Sequence, residues 1–286
     1  MLKKLGEGGE AEIFVARDEQ LRRNVAVKFQ LPRAFESTET YVYNGKRIER
    51  ERERLADLLD VRGIPRVLDQ GHLDGGRGRQ YLVMELVAGV TVKSWIAAHQ
   101  PVPTAPAVAV LAQLCETLAD LHAKGYVHCD VTPNNTMVQP NGRVWLLDVG
   151  ISVRAGELND FPSGSPGYAA PEQYDRAAVL TPQVDVFALG VMLFAMIVSE
   201  LPYSGLGVPL DGIAAAFPKD FRAQMTDELR DLGLAMVSVD PRERPNGMGK
   251  VLRLLQPMLP APGSPAAPKA TRPDPTAYYR LGSSAP

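Results

Sequence analysis

The chain has 286 residues, and 45% of them are hydrophobic, which supports a sizeable core and excludes a wholly disordered protein. Its 31 Lys and Arg side chains nearly balance its 33 Asp and Glu side chains, so the net charge of −2 gives no reason to expect nucleic acid or an anionic membrane as a partner. Two cysteines, Cys115 and Cys129, are too few for a disulfide scaffold and indicate a reducing compartment.

The sequence shows no signal of export or membrane insertion. Its N-terminus lacks the apolar core of a signal peptide. The most apolar run, Val186–Val198, has 13 residues, whereas about 20 are needed to cross a bilayer. We therefore expect a soluble protein in the cytoplasm that has no membrane partner.

Residues 1–86 carry short runs rich in β-forming residues, which predict strands. These runs are 12–16, 25–29, 66–69 and 80–85. Between the second and third runs, residues 45–60 combine alternating Glu and Arg with an apolar side at Ile48, Leu55, Leu58 and Leu59, a pattern typical of an amphipathic helix. This part of the chain is therefore predicted to be rich in strands, with one helix.

Residues 91–256 show mainly helical periodicity. Thr104 is a suitable N-cap for a helix whose leucines share one face and that ends at Gly125. A short strand is predicted at 143–148, and further helices at 183–199, 225–237 and 246–256. Strands early and helices late predict an α+β protein with two lobes, 1–86 and 87–256, and a functional cleft between them.

The C-terminal residues 257–286 differ in composition from the rest, because they hold 8 of the 24 prolines. Such a segment buries too little apolar surface to offset the entropy lost on ordering. We expect a disordered tail, and we expect deletion of residues 258–286 to leave activity and melting temperature nearly unchanged.

Two stretches of the first lobe have features of a phosphate site. Within residues 5–13, Gly6 and Gly8 lie between strand-like runs and let the backbone approach a phosphate closely. Lys28 ends the apolar run Val25–Val27. A cation at the end of a buried strand needs an anion, which could be a phosphate or a carboxylate.

A second group of polar residues lies between positions 128 and 148. Asn135 follows Asp130 by five residues, and Asp148 follows an apolar, strand-like run. Amide and carboxylate oxygens are suitable ligands for Mg²⁺, which indicates a metal site at Asn135 and Asp148. Asp130 then remains to accept a proton from a hydroxyl group.

Taken in order, these blocks resemble the eukaryotic-like protein kinase superfamily in its bacterial Ser/Thr branch, over about residues 5–256. The matching blocks are Gly6–Ile13, Val25–Lys28, His128–Asn135, Asp148–Gly150, Ala170–Glu172, Asp185 and Asp240–Pro245. The resemblance implies a two-lobed kinase fold, ATP and Mg²⁺ as cofactors, and protein substrates with Ser or Thr acceptors.

The resemblance also implies a role for each matched residue in catalysis. Lys28 would hold the α- and β-phosphates and pair with a glutamate from the helix. Asn135 and Asp148 would hold Mg²⁺, and Asp130 would orient and deprotonate the acceptor hydroxyl. In the second lobe, Asp185 would cap the catalytic loop and Glu172 would pair with Arg244.

ATP itself would be held by the first lobe and by one residue of the second, again on the resemblance. The backbone amides around Gly6, Gly8 and Gly9 would cover the phosphates. Met84 would act as gatekeeper, while the Glu85 carbonyl and the Val87 amide would bond the base edge. The apolar residues expected to sandwich adenine are Leu5, Ile13, Ala26 and Met137.

The helix glutamate is ambiguous, because Glu49, Glu51 and Glu53 alternate along the same segment. We favour Glu51, since it lies four residues before Leu55 and seven before Leu58. These leucines match the inward face of the family's helix. The other two glutamates are expected to be solvated and paired with arginines.

The chain departs from the family pattern at four positions. Ala11 replaces a loop glycine, and Val149 replaces the usual Phe after Asp148. Cys129 replaces the arginine that normally receives an activation-loop phosphate, so we expect activity that does not depend on such a phosphate. Thr132 replaces the lysine that faces the γ-phosphate, and it is placed among the catalytic candidates.

These departures keep two other functions open. An ATP-binding scaffold with little turnover would explain Thr132, Ala11 and Val149. A small-molecule phosphotransferase of the aminoglycoside type would share the catalytic Asp and Asn pattern. The Ala170–Glu172 block and Arg244 argue against the second alternative, because they belong to a large lobe that binds peptides.

Overall fold

The computed structural model describes residues 3–7, 11–31, 38–73, 78–159, 162–203, 215 and 225–282. The chain divides into two compact units, one formed by residues 1–88 with 148–150 and the other by residues 89–147 with 151–286. The first unit is rich in strands and the second is mainly helical. The predicted α+β class is therefore confirmed.

The first unit consists of a five-stranded antiparallel sheet and one long helix. The strands are β1 (Lys3–Glu7), β2 (Ala11–Asp18), β3 (Arg23–Gln30), β4 (Val67–His72) and β5 (Gln80–Glu85), and the helix is α1 (Thr38–Asp57). The strand order in the sheet is β1-β2-β3-β5-β4. Four of these strands and the helix were predicted, and β1 is additional.

The register of the sheet brings the predicted nucleotide residues to one face. Residues directly opposite each other in an antiparallel pair share a face. Ile13 lies opposite Lys28, and Ala26 lies opposite Met84. Since Ala26 and Lys28 are two residues apart on one strand, all four side chains share one side of the sheet.

The buried face of α1 contains a charged residue, Glu51, beside its apolar side chains. Ile48, Leu55 and Leu58, the last of which directly follows the helix, are at most 6% exposed, as the apolar pattern predicted. The prediction was wrong for Leu59, which is 51% exposed because it lies beyond the end of the helix. Glu51 lies on the same face, because it precedes Leu55 by one helical turn, and it is only 2% exposed. The helix therefore buries a carboxylate among apolar side chains, which requires a partner for that charge.

The second unit combines short strands with six helices among the described residues. Its strands are β6 (Val90–Thr91), β7 (Tyr126–Val127), β8 (Thr136–Val138), β9 (Val144–Leu146) and β10 (Val153–Arg154). Its helices are α2 (Val92–His99), α3 (Thr104–Ala123), α4 (Gln183–Ile197), α5 (Asp227–Met236), α6 (Met248–Leu255) and α7 (Ala277–Leu281). The strands pair as β6-β8-β9 and as β10-β7.

The core of the second unit is formed by α3 and α4, whose side chains are buried almost all round. Thr104 is the first residue of α3 rather than its N-cap, a position that Pro103 occupies. By length and composition alone α3 could cross a membrane, but 72% of its apolar window is buried inside the protein. This burial is typical of a core helix in a globular domain.

The prediction of a disordered C-terminal tail is wrong for the described residues 257–282. The Trp95 Nε1 atom donates to the Pro273 carbonyl oxygen at 2.9 Å, and Gln113 Nε2 donates to the Pro275 carbonyl oxygen at 3.3 Å. The Tyr279 hydroxyl donates to Glu116 Oε1 at 2.9 Å. The tail thus binds α2 and α3 through side chains that these helices direct toward it.

The tail is also fixed internally and by one turn of the second unit. Arg280 Nη2 donates to Asp274 Oδ2 at 2.7 Å, and the Thr276 hydroxyl donates to Asp274 Oδ1 at 2.6 Å. Gly142 has a φ of +84°, and a Cβ at this position would clash with the Asp274 carbonyl oxygen. A glycine is therefore required in the turn before β9 for the tail to dock.

Deletion of residues 258–286 is expected to lower the melting temperature by at least about 5 °C, in contrast to the result predicted from composition. It removes the tail partners of Trp95, Gln113 and Glu116, and each such hydrogen bond contributes about 0.5–1.5 kcal/mol. In a chain of this size, each kcal/mol corresponds to about 2–4 °C. Deletion of residues 283–286 alone is the matched control, because it keeps every contact described above. Equal melting of the two truncated proteins in calorimetry would refute the prediction.

Candidate functional site

Lys28 is the centre of a buried ion cluster in the first unit. It lies near the end of β3 and is 8% exposed. Its Nζ atom donates to Glu51 Oε2 at 2.7 Å and to Asp148 Oδ2 at 3.1 Å. The sequence predicted either a phosphate or a carboxylate as the partner of Lys28, and two carboxylates lie beside it.

The three alternating glutamates of α1 occupy different environments. Glu51 is the one that reaches Lys28. Glu49 accepts a hydrogen bond from Gln80 Nε2 at 2.9 Å, and the Glu53 side chain is 65% exposed beside Arg52. The spacing of Glu51 from Leu55 and Leu58 therefore identified the buried glutamate correctly.

Burial and charge act in opposite directions on this cluster. Burial lowers the pKa of Lys28, but attraction to Asp148 and Glu51 outweighs it and raises the pKa of this amine above its ordinary value. Burial raises the pKa of Glu51 to about 7, although Lys28 counteracts this effect. When all three groups are ionised, the two carboxylates carry more negative charge than the Lys28 ammonium alone neutralises, and the charge of Arg47 also acts on Glu51.

Asp148 supplies the accessible part of that charge. Its side chain is 42% exposed, whereas that of Glu51 is 2% exposed. The backbone of Asp148 has a φ of +59°, and its Oδ1 atom accepts a hydrogen bond from the Gly150 amide at 3.0 Å. A Cβ on Gly150 would lie 2.9 Å from Asp148 Oδ1, so a glycine fits best here. The carboxylate is thus held by its own turn.

Arg54 contacts the turn that carries Asp148, and the sequence analysis missed this residue. Its Nη1 atom donates to the Val149 carbonyl oxygen at 3.1 Å and to the Gly150 carbonyl oxygen at 2.6 Å. Helix α1 therefore holds both Lys28 and the Asp148 turn, through two side chains three residues apart. That spacing relative to Glu51 is the signal that could have identified it.

Three of the residues predicted to contact adenine in the first unit lie on the same sheet face as Lys28. These are Ile13, Ala26 and Met84. Val87 is 7% exposed, and the Glu85 amide donates to the Arg66 carbonyl oxygen at 2.9 Å.

The rest of the predicted nucleotide set lies at the edge of the sheet, in the other unit or beyond the described residues. Leu5 is 53% exposed on β1, and Gly6 pairs with Ile13. Met137 lies on β8 of the second unit, opposite Trp145. Gly8 and Gly9 lie outside the described residues.

In the second unit, hydrogen bonds hold both carboxylate oxygens of Asp130. Asn135 Nδ2 donates to Asp130 Oδ2 at 2.7 Å and to the Asp130 carbonyl oxygen at 3.1 Å. The Ser165 hydroxyl donates to Asp130 Oδ1 at 2.6 Å. A hydroxyl group within hydrogen-bond distance of this carboxylate is the arrangement that proton transfer from an alcohol requires.

The donor set of Asn135 fits a role as metal ligand. Because its Nδ2 atom bonds to Asp130, the oxygen is the atom of this amide that can hold a cation. Oxygen donors from an amide and from carboxylates suit Mg²⁺. The residues present in each unit are therefore compatible with the metal that the sequence implied.

Thr132 does not have the environment expected of a residue that faces a phosphate. It is 3% exposed, and its hydroxyl oxygen accepts a hydrogen bond from the Asn135 amide at 3.2 Å. Its carbonyl oxygen accepts from the Thr136 hydroxyl at 2.8 Å. The structure gives Thr132 a local role in the turn, and its placement among the catalytic residues stays a prediction.

Asp185 at the start of α4 supports the backbone next to Asp130. It is fully buried, and its carboxylate accepts from the His128 amide at 2.8 Å and from the Cys129 amide at 2.9 Å. The His122 ring, which the sequence analysis missed, lies 2.8 Å from Asp185 Oδ2. Burial alone would raise the pKa of Asp185, but the hydrogen bond from His122 and the other donors hold it below its ordinary value.

Arg244 forms a buried pair with Glu172, as the resemblance implied. Its Nη1 and Nη2 atoms donate to the two Glu172 carboxylate oxygens at 2.6 and 2.9 Å. The remaining donors bond the carbonyl oxygens of Ser238, Gln183 and Val239. This pair lies away from the Asp130 loop in sequence and serves to hold parts of the second unit together.

Comparison with known families assigns nearly the whole chain to one group. The family described as "Protein kinase domain" matches residues 1–254. The chain is 28% identical over 253 residues to serine/threonine-protein kinase PrkC of Bacillus subtilis, which covers 85% of this chain and 38% of that protein.

Two further relatives show the same partial coverage. The chain is 31% identical over 208 residues to serine/threonine-protein kinase PknB of Mycolicibacterium smegmatis, covering 70% of this chain and 32% of that protein. It is 30% identical over 210 residues to the probable serine/threonine-protein kinase PknB of Lactococcus lactis, covering 72% and 32%. The chain thus spans about a third of the length of these curated relatives.

Proposed function

Because this chain belongs to the protein kinase family, we propose that it transfers the γ-phosphate of ATP to Ser or Thr hydroxyls of protein substrates, with Mg²⁺ as the metal cofactor. The observation that carries the proposal is the buried Lys28, which is bonded to Glu51 and to the accessible carboxylate of Asp148. A structural ion pair would not need the second, half-exposed carboxylate. A site for phosphates and a divalent cation does need it.

The residues of each unit have distinct tasks in this reaction. Lys28 binds the α- and β-phosphates, and Asn135 and Asp148 would hold Mg²⁺, which neutralises charge on the phosphates. Asp130 orients the acceptor hydroxyl and takes its proton. As the hydroxyl oxygen bonds to the γ-phosphorus, the bond from that phosphorus to the bridging oxygen breaks and ADP leaves with that electron pair.

Incubation of the protein with Mg²⁺, γ-labelled ATP and a generic protein acceptor tests the proposal directly. Label recovered as phosphoserine or phosphothreonine supports it, and the isosteric variant Asp130→Asn should show none above background. Nucleotide binding without transfer would support an ATP-binding scaffold instead. Transfer to aminoglycosides but not to protein would support a small-molecule phosphotransferase.

We further propose that activity does not depend on a phosphate in the activation segment, residues 150–170. A loop phosphate acts by binding an arginine next to the catalytic Asp. Here that position is Cys129, which has no positive charge and is 3% exposed. Of the three serines in the segment, Ser152 is fully buried and Ser165 bonds Asp130, which leaves Ser163 as the acceptor to consider.

Phosphatase-treated and autophosphorylated protein are therefore expected to have the same turnover to within about twofold, because no cation awaits the phosphate at position 129. Turnover of a generic acceptor at saturating ATP measures this. Ser163→Ala is the second control and should behave like wild type. A loss of about tenfold or more on dephosphorylation would show that another basic residue holds the phosphate.

A further inference from the structure

The peptide that precedes Asp130 is in an unfavourable conformation. Cys129 has a φ of +66°, in the left-handed region that costs a non-glycine residue about 1–2 kcal/mol. Such a conformation persists only where the surroundings hold it. The Cys129 amide donates to Asp185 Oδ1 at 2.9 Å, and this bond holds the backbone on the N-terminal side of the residue.

The other side of Cys129 is held by the side chain of Gln173. Gln173 Nε2 donates to the Cys129 carbonyl oxygen at 2.8 Å. The same nitrogen donates to the Ser163 carbonyl oxygen at 3.0 Å, and Gln173 Oε1 accepts from the Ala170 amide at 2.9 Å. Both amide hydrogens and the oxygen are therefore in use, in a side chain that is 1% exposed.

The surrounding residues are arranged to place this side chain. Gly164 leaves the space through which it passes, since a Cβ on Gly164 would lie 2.9 Å from Gln173 Nε2. The backbone of Gln173 is fixed independently, because Asn159 Nδ2 donates to its carbonyl oxygen at 2.8 Å. Asn159 is itself 4% exposed. Gly164 and Asn159, which lie outside the catalytic loop, thus help to position the side-chain amide of Gln173.

The consequence for the reactive groups follows from the chain connectivity. Cys129 is bonded to Asp130, and Ser163 is two residues before Ser165, whose hydroxyl bonds Asp130 Oδ1 at 2.6 Å. One amide side chain therefore joins the backbone on both sides of the Asp130–Ser165 contact. The link uses the backbone carbonyl oxygens of Cys129 and Ser163, so it needs neither a charged side chain at position 129 nor a phosphate.

We propose that Gln173 is a positioning residue that fixes the Cys129 peptide and the activation segment so that Asp130 is correctly aimed. The inference rests on the proposed kinase function and explains how an enzyme without a cation at position 129 keeps its activation segment ordered. A buried amide that only satisfies its own hydrogen bonds would affect stability but not the chemical step.

The test compares two buried glutamines of the same unit. Gln113 is 4% exposed and also uses three hydrogen bonds, to the Gly142 and Pro275 carbonyl oxygens and from the Val144 amide. Gln173→Met and Gln113→Met remove the same groups and keep similar volume. We expect Gln173→Met to lower kcat at least about tenfold with little change in KM for ATP, since small misplacements of reacting groups are costly. Gln113→Met should lower the melting temperature similarly and leave kcat unchanged.

A second variant makes the role visible in a pH profile. In Gln173→Glu, the protonated carboxyl retains one donor, but the ionised form faces two carbonyl oxygens with none. The ratio of its kcat to that of wild type is therefore expected to fall as pH rises from about 6 to about 9. The corresponding ratio for Gln173→Met should not change with pH.

Hydrogen exchange provides a measurement that does not depend on activity. Gln173→Met should speed exchange at the Ala170 amide and its neighbours, whereas Gln113→Met should not. The inference is overturned by any one of three results: a kcat for Gln173→Met within about twofold of wild type, an equal kcat loss in Gln113→Met, or unchanged exchange at Ala170. A wild-type protein that transfers no phosphate to protein would instead refute the proposed function, and exchange would then decide the structural role of Gln173 alone.

Discussion

Replacement of Lys28 with Met is expected to reduce phosphoryl transfer by about 10²–10³ or more, because the cation proposed to bind the phosphates is lost. The structure adds a cost in stability that the sequence analysis did not anticipate. Glu51 is 2% exposed and would be left as a buried carboxylate without its partner. Breaking such a pair costs about 3–5 kcal/mol, and part of this is relieved because the pKa of Glu51 is already raised to about 7.

The two effects are separated by a second substitution. Lys28→Met/Glu51→Gln removes the buried charge, so it should recover much of the melting temperature but none of the activity. Lys93→Met is the matched control, since Lys93 is an exposed lysine on α2. Labelled ATP at saturating Mg²⁺ measures transfer, and calorimetry measures stability. Near wild-type transfer by either Lys28 variant would show that Lys28 does not bind the phosphates.

Replacement of Arg244 with Lys is expected to lower the melting temperature by about 10 °C. All five N–H groups of Arg244 are bonded, to both oxygens of Glu172 and to three backbone carbonyl oxygens. Lys has three donors on one atom and cannot reproduce this fork. Glu172 and several carbonyl groups would then lose their partner inside the unit.

Arg242 provides a control two residues away in the same segment. Its side chain is 90% exposed and pairs with Asp240 at 2.7 Å, a surface contact of the kind that contributes little. Arg242→Lys should therefore melt within about 1 °C of wild type. If Arg244→Lys melts like Arg242→Lys, the buried pair does not stabilise the second unit as described.

The parts of the fold that could be predicted from sequence are those with a strong local pattern. The strand at 80–85 has the bounds predicted, and Glu51 was identified by its distance from Leu55 and Leu58. In both cases the side-chain period alone decides which face is buried. Helix α1 begins earlier than predicted, at Thr38, because the charged pattern used to locate it covers only its second half.

The parts that could not be predicted depend on partners far along the chain. Proline-rich composition indicates a lack of backbone donors, yet Pro273 and Pro275 still offer carbonyl oxygens, and these are the atoms that Trp95 and Gln113 bind. Thr132 matched a catalytic position in the motif, but its burial and its bond to Asn135 could not be known from spacing. Gln173 carried no signal, because a single glutamine after a motif is ordinary until its three partners are located.

Because Trp95 donates a hydrogen bond to the Pro273 carbonyl oxygen, its fluorescence can report whether the tail is docked. The chain contains two tryptophans, Trp95 and Trp145, and the indole of Trp95 is 1% exposed beneath the tail. In a Trp145→Phe background, the tryptophan fluorescence of the protein would come from Trp95 alone, whose indole N–H group donates to the Pro273 carbonyl oxygen. If the emission of Trp95 shifts to longer wavelength before the main thermal transition, the tail is released before the rest of the protein unfolds. This can be followed in real time without an added label.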